Sequence, residues 1–181
     1  ILHSENASQK VNVCLNITKV NQESARIKLL KIALNDNEYE VRYISNSMLN
    51  KIEKELVTEI DLLSKNILTS PQTIKNYRLR GYTKNRYALS TILHSQLKDY
   101  FLKSALDDFR YCLQAEPDNY FLIVKIAQVY AQLNMIPELL DLTEKDLRLA
   151  LDSDNRNKIL FNRAEGFFIL RDFEQLSIAL V

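Results

Sequence analysis

Apolar residues recur along most of this chain at three- and four-residue spacings, the period of helices that bury one face. Ser24 opens one such stripe, made of Ala25, Ile27, Leu29, Leu30, Ala33 and Leu34. Asn35-Asp36-Asn37 is a turn cluster. A second stripe then runs through Tyr39, Val41, Ile44, Met48, Leu49, Ile52, Leu56, Ile60 and Leu63 as far as Leu68, where Thr69-Ser70-Pro71 stops it. Earlier, Val11, Val13, Leu15 and Ile17 alternate with Asn12, Cys14 and Asn16, a strand-like period, but the Asn residues, the preceding Lys10 and the helical neighbours predict a helix there too. A long, irregular helix is expected from about Gln72 through Gly81 to Lys98. Its Tyr77, Tyr82 and Tyr87 are five residues apart, a spacing that drifts around a helix, so they read as separate packing points.

The later part of the chain repeats. Ala105, Phe109, Cys112 and Pro117 sit at intervals of four, three and five residues. A small residue, an aromatic, a small residue and a proline at that spacing resemble the second helix and exit turn of a tetratricopeptide unit. In the next unit Ile123, Ile126, Ala127 and Tyr130 fall where the motif places its large, leucine, small and tyrosine residues, and Asn134 takes a turn position usually held by glycine. A third unit shows Leu160, Ala164 and Phe167, with Arg171-Asp172-Phe173-Glu174 as its turn. The anchors Ala105, Leu139 and Leu176 are 34 and 37 residues apart. Thr143, Asp146 and Arg163 depart from the pattern, standing where an aromatic, a small residue and a core leucine are expected. Upstream, Leu30, Leu34-Asn35-Asp36, Val41-Arg42 and Met48-Leu49 resemble one HEAT-type helical hairpin, with Arg42 placed to reach carbonyls or acids at the turn.

Composition narrows the class further. Two glycines and three prolines in 181 residues are few, against roughly a dozen and nine at average usage. Turn-rich β folds and phosphate-loop α/β folds need more of both. The expected class is therefore all-α, an α-solenoid in which a HEAT-like region with a long linker helix (residues 1–70) precedes tetratricopeptide repeats (residues 71–181). Lys and Arg total 24 against 23 Asp and Glu, a formal charge of +1, which gives no footprint for nucleic acid. Cys14 and Cys112 are isolated and read as reduced thiols on helix faces. No apolar run approaches the ~20 residues of a membrane span. Because it starts at Ile1 and ends at Val181 inside an amphipathic pattern, the chain reads as a fragment of a longer protein.

Catalytic chemistry is hard to assemble from these residues, so no enzyme, cofactor or metal site is expected. Gly81 and Gly166 both lie in helix-forming sequence rather than in a phosphate-cradling loop. His3 and His94 are far apart in sequence. Asp152-Ser153-Asp154-Asn155-Arg156 begins like a calcium loop, but Asn157 and Arg163 replace its glycine and glutamate. Asp107 and Asp108 point about 100° apart on a helix, poor geometry for an acid/base pair. Glu53, Lys54, Glu55, Glu59 and Lys65 read as a solvated helix face. The sequons at Asn6 and Asn16 are expected by chance in an Asn-rich chain.

What remains is binding. Stacked helical hairpins line a concave face with their first helices. The groove positions expected on that basis are Phe121, Val124, Gln128, Ala131 and Gln132, then Lys158, Phe161, Glu165, Phe168 and Ile169. They form an apolar groove, short of the several Lys, Arg and Asn residues that a clamp for acidic peptide tails requires. The same apolar positions fit equally well against a continuation of the chain.

The order of these features resembles the PelE family, the tetratricopeptide inner-membrane subunits of the bacterial Pel exopolysaccharide machinery. It is carried by Val41-Arg42-Tyr43-Ile44, Met48-Leu49 and Ile52-Glu53-Lys54-Glu55-Leu56, followed by a tyrosine-rich helix, the repeats and Leu170-Arg171-Asp172-Phe173. The resemblance implies transmembrane helices ahead of this fragment, and a place on the cytoplasmic face of the inner membrane. It also implies protein partners, a glycosyltransferase and the cyclic-di-GMP receptor subunit among them, and supplies no catalytic residue. Two other readings stay open at this point: a soluble peptide-binding adaptor or secretion chaperone with an unrelated client, and a regulatory domain attached to an enzyme.

Overall fold

The computed structural model describes residues 7–90, 95–147 and 153–179, and every regular element among them is a helix. In chain order these are α1 (Ala7–Ile17), α2 (Glu23–Ala33), α3 (Tyr39–Thr69), α4 (Ile74–Leu89), α5 (Ser95–Ala115), α6 (Tyr120–Gln132), α7 (Ile136–Leu147), α8 (Ser153–Leu170) and α9 (Phe173–Ala179). No helix among the described residues is long and apolar enough to cross a membrane. His3, His94 and Asp152 fall outside the described residues, as does the side chain of Asp146.

The alternating run at Val11–Ile17 is helical, with Cys14 and Ile17 buried on one side of α1. Helices α1 and α2 both pack on α3. That 31-residue helix buries Val41, Ser45, Leu49, Ile52, Leu56, Ile60, Leu63 and Ile67, three and four residues apart throughout. The α2–α3 turn is tied by its own side chains. Asp36 accepts the backbone N–H of Glu38 at 2.9 Å and the ammonium of Lys10 from α1 at 3.0 Å. Arg42 donates from Nη1 to the carbonyls of Asp36 and Asn37, each at 2.8 Å. The Glu38 amide and Lys10 hold the Asp36 carboxyl below its usual range.

The long helix expected from Gln72 to Lys98 is interrupted. Helix α4 ends at Leu89, and α5 begins at Ser95; residues 91–94 lie outside the described part. At the end of α4 the Ser90 N–H bonds back to the Tyr87 carbonyl at 3.2 Å, and the Ser90 hydroxyl donates to the same oxygen at 2.6 Å. A serine spending both donors one short turn back competes with helix continuation. The three tyrosines do pack separately: Tyr77 on Tyr111, Tyr82 on Phe109 and Phe121, Tyr87 on Phe101.

From α4 onward each helix packs on the next, and α6 also packs on α8. The two later turns share one design. Asn134 and Arg171 both adopt left-handed φ, 57° and 58°. After α6, Asn134 N–H bonds Ala131 O at 3.2 Å and Met135 N–H bonds Tyr130 O at 2.9 Å; after α8, Arg171 pairs with Phe168 at 3.1 Å and Asp172 with Phe167 at 3.0 Å. Both are Schellman caps, in which a left-handed residue satisfies the last free carbonyls.

Two large buried clusters and a smaller one between α6 and α8 are found among the described residues. Of the large two, one gathers Cys14, Ile27, Leu30, Val41, Leu49, Ile52, Leu56 and Ile60 around α3, and the other gathers Leu102, Leu106, Phe109, Leu122, Ile126, Val129 and Leu139 around α5 and α6. The expected solvated face of α3 is only partly so, because Glu53 and Glu59 reach α4. Glu53 accepts the Tyr87 hydroxyl at 2.5 Å, and Glu59 lies 3.7 Å from Arg86. Ions also bridge α4 and α5. Asp107 is exposed, whereas Asp108 is 3 % exposed. Arg80 grips the Asp108 carboxylate through Nε (3.0 Å) and Nη2 (2.6 Å), and Lys84 Nζ approaches it at 2.8 Å.

Candidate interaction surface

Helix α6 carries Tyr120-Phe-Leu-Ile-Val-Lys-Ile-Ala-Gln-Val-Tyr-Ala-Gln132, too apolar for one buried stripe, and it is accordingly buried on two sides. Its start is fixed by Asn119, whose Oδ1 accepts the Leu122 N–H at 3.3 Å while its Nδ2 donates to Glu116 at 2.6 Å. Glu116 in turn pairs with Arg78 of α4. Asn119 foremost, and Arg78 with it, hold the Glu116 carboxyl below its usual range. Leu122, Ile126 and Val129 enter the large cluster, while Ile123 and Val124 pack with Ile159 of α8.

This double burial corrects one expected groove position. Val124 is 3 % exposed, sealed beneath α8, and presents no surface to a partner. Ala131 is half-buried against the large cluster and leans inward as well. Gln128 is half-buried and accepts the Lys125 ammonium at 3.0 Å, and Gln132 is exposed. Phe121 remains outward at 53 % exposure, with the Tyr82 ring 5.6 Å away and Lys125 Nζ 5.6 Å from its own centroid.

On α8 the expected positions are exposed. Phe161 and Phe168 are 69 % and 62 % exposed, seven residues apart and so two turns along one side of the helix. Glu165 and Lys158 are exposed on α8, and Ile169 is partly so. The opposite side is committed inward through Ile159, Ala164 and Phe167. The residue range that began like a calcium loop is helical from Ser153 onward.

Two departures from the repeat pattern partner each other. Thr143 is fully buried and donates to the Leu139 carbonyl at 2.8 Å. Arg163 donates from Nη1 to the Leu140 carbonyl at 3.1 Å and to Thr143 Oγ1 at 3.4 Å, with its guanidinium 5.1 Å from the Phe167 centroid. A short side chain on α7 leaves room for a long one from α8, and the hydroxyl gives the guanidinium an acceptor.

Sequence reasoning missed Lys125 and Tyr82 on this surface. Burial and then the nearby Lys158 press the Lys125 amine below its ordinary value. The Tyr82 hydroxyl is buried with no hydrogen-bond partner, and burial pushes its pKa up to about 12. Lys125 sits four residues after Phe121, a helical neighbour that inspection for charges alone would have found. Tyr82 shows no such signal, because the α4–α6 approach depends on where α4 ends.

Comparison of the chain with protein-family models, with curated proteins and with solved structures gives no match. Chemically, the surface offers rings and mixed charges rather than reactive groups. Among the described residues no three His, Cys, Asp or Glu side chains are grouped to hold a metal ion. Cys14 and Cys112 are both free and buried, and burial raises the Cys112 thiol to about 11, which leaves it a poor nucleophile.

Proposed function

We propose that this chain is a non-enzymatic interaction scaffold of the PelE kind. In this reading it is a helical solenoid in which a HEAT-like hairpin precedes tetratricopeptide units. It helps assemble an exopolysaccharide synthesis and export complex on the cytoplasmic face of a bacterial inner membrane, docking a glycosyltransferase and other subunits. The observation that carries the reading is the set of exposed rings on α6 and α8, Phe121, Phe161 and Phe168, on helices whose other faces are committed to the core. Contiguous exposed apolar patches rimmed by polar residues mark protein–protein contact surfaces, and aromatic residues dominate binding energy there.

Two further observations support the repeat architecture within this proposal. Asn134 and Arg171, 37 residues apart, make the same left-handed cap with the same pair of hydrogen bonds. At the first hairpin, Asp36 and Arg42 clamp the turn carbonyls and amide, the role such a pair takes in a HEAT-type unit.

The test is co-purification of the full-length protein with the Pel glycosyltransferase from membranes. Phe161→Glu together with Phe168→Glu is expected to reduce that capture by at least about tenfold, with an unchanged circular dichroism spectrum because both rings are exposed. Undiminished capture by the folded double variant would remove this surface from the proposal. No capture and no membrane fractionation by the wild type would favour a soluble adaptor with an unrelated client.

A further inference from the structure

Helices α3, α4 and α5 line a half-open cavity of about 450 Å³, away from the rings of α6 and α8. Arg80 and Lys84 of the ion cluster line it. Arg80 and Lys84 carry two positive charges against the single negative charge of Asp108, and the side chains are 18 %, 9 % and 4 % exposed. The buried trio thus carries one net positive charge, which the exposed carboxylates of Asp61, on the cavity wall, and Asp107 balance only through solvent. Donors are left over. Lys84 spends N–H groups on Asp108 and on the Ser104 carbonyl (3.4 Å), and Arg80 spends three of five, two on Asp108 and one on Ser64 Oγ (3.3 Å). Burial holds the Lys84 amine below its ordinary value despite the pull of Asp108 and Asp107. Ser64 and Ser104 line the same cavity, Tyr100 and Phe101 give it an aromatic wall, and Asp61 stands on it as an exposed carboxylate.

We propose that this cavity is a binding site for a small organic oxyanion, a carboxylate or phosphate group carried on an aromatic or apolar body. The headgroup takes the spare N–H groups of Arg80 and Lys84, and the body lies along Tyr100 and Phe101. The volume falls within the range of roughly 300–1,000 Å³ typical of small-ligand sites, and the wall is more polar than most, as suits a charged headgroup. The site is independent of the scaffold reading and would stand if that reading fell.

The experiment is calorimetric and NMR titration of the whole chain with phenyl phosphate, benzoate, inorganic phosphate and, as a neutral control, benzyl alcohol. Saturable binding of phenyl phosphate or benzoate is expected, with benzyl alcohol weaker by at least about tenfold. Whichever of the two binds more tightly identifies the headgroup. Asp61→Asn removes a repelling charge and should tighten binding about threefold. Tyr100→Ala should weaken the aromatic probes about threefold or more while leaving inorganic phosphate unchanged. Lys84→Gln should cost more than about tenfold. If Lys84→Gln does not fold, the two exposed-site variants carry the test. Absence of saturable binding, equal binding of benzyl alcohol, or affinities indifferent to both Asp61→Asn and Tyr100→Ala would overturn the proposal.

Discussion

Asn134 and Arg171 are the residues in which composition and conformation meet most directly. A left-handed backbone costs an ordinary L-residue roughly 1–2 kcal/mol, and asparagine less because its short amide bonds locally. Both positions close a Schellman cap at φ near 57°. A chain with only two glycines, both placed inside helices, has none at these turns. Arg171 is exposed, so its side chain offsets little of that strain. Arg171→Gly is therefore expected to stabilise the protein by about 0.5–1 kcal/mol, the relief exceeding the added entropy of the unfolded chain. Asn134→Gly should gain less than Arg171→Gly, because asparagine already tolerates the left-handed backbone. Urea unfolding midpoints check both, and a loss of stability in Arg171→Gly would mean that the guanidinium contributes something its exposure conceals.

At the scale of elements, the two glycines mark helix crossings of different hardness. A β-carbon added at Gly81 would lie 2.7 Å from Cε1 and 2.9 Å from Cδ1 of Phe109, a fully buried ring. At Gly166 the nearest atom would be Leu139 Cδ2 at 3.1 Å, the free end of a rotatable side chain. Alanine gains about 1 kcal/mol of helix propensity at either site. Overpacking costs about 1–3 kcal/mol where neighbours cannot yield. Gly81→Ala is expected to destabilise by about 1–2 kcal/mol, and Phe109→Leu in the same chain to recover part of that, a coupling above about 0.5 kcal/mol in a double-mutant cycle. Gly166→Ala should fall between neutral and about 1 kcal/mol stabilising. Equal effects at the two sites would contradict this difference between ring and leucine.

The same contrast explains how far the sequence could be read. The stripe of α3 and the caps at Asn134 and Arg171 are local facts, fixed by residues within a turn or two, and periodicity and turn chemistry find them. The end of α4 was not legible, because no glycine or proline marks it and Ser90 acts only once its hydroxyl has chosen the Tyr87 carbonyl. The outward rings Phe121, Phe161 and Phe168 followed from helical spacing. Val124 did not, because its burial depends on α8 lying across α6, a packing relation that no single-helix pattern contains. The Arg80, Lys84 and Asp108 cluster was missed for a related reason. Its members stand one turn apart on α4 and beside a core aromatic on α5, and only the pairing of those helices turns three ordinary surface residues into buried ions.

Across the whole molecule the two large hydrophobic clusters meet at a seam between α3, α4 and α5. Tyr87 belongs to the α3 cluster and the adjacent Ala88 to the α5–α6 cluster; on α5, Phe101 packs partly against both, and Leu102 is buried in the second. Tyr87 and Phe101 lie against each other, ring centroids 4.7 Å apart. The ion pairs across the seam, Arg86 with Glu23 at 2.7 Å and with Glu59 at 3.7 Å, are half-exposed and contribute little. The packing of α4 along α3 also ties the halves, and Phe101, which packs on both clusters, is the side chain whose share in their cooperativity can be tested directly. Phe101→Ala is expected to cost about 2–3 kcal/mol and, beyond that cost, to let the halves unfold separately. Tyr87→Phe removes only the hydroxyl bond to Glu53, leaves the ring in place, and should cost about 1 kcal/mol without separating them. Segment-resolved hydrogen exchange distinguishes the two effects. In the wild type and Tyr87→Phe, the slowest amides of α3 and of α5–α6 should share one opening free energy, whereas in Phe101→Ala they should diverge. A single shared value in Phe101→Ala would show that the seam is held by more than its rings. Under the proposed scaffold reading the distinction matters, since a partner docked on α6 and α8 would keep a fixed position relative to the α1–α3 region only while this seam is closed.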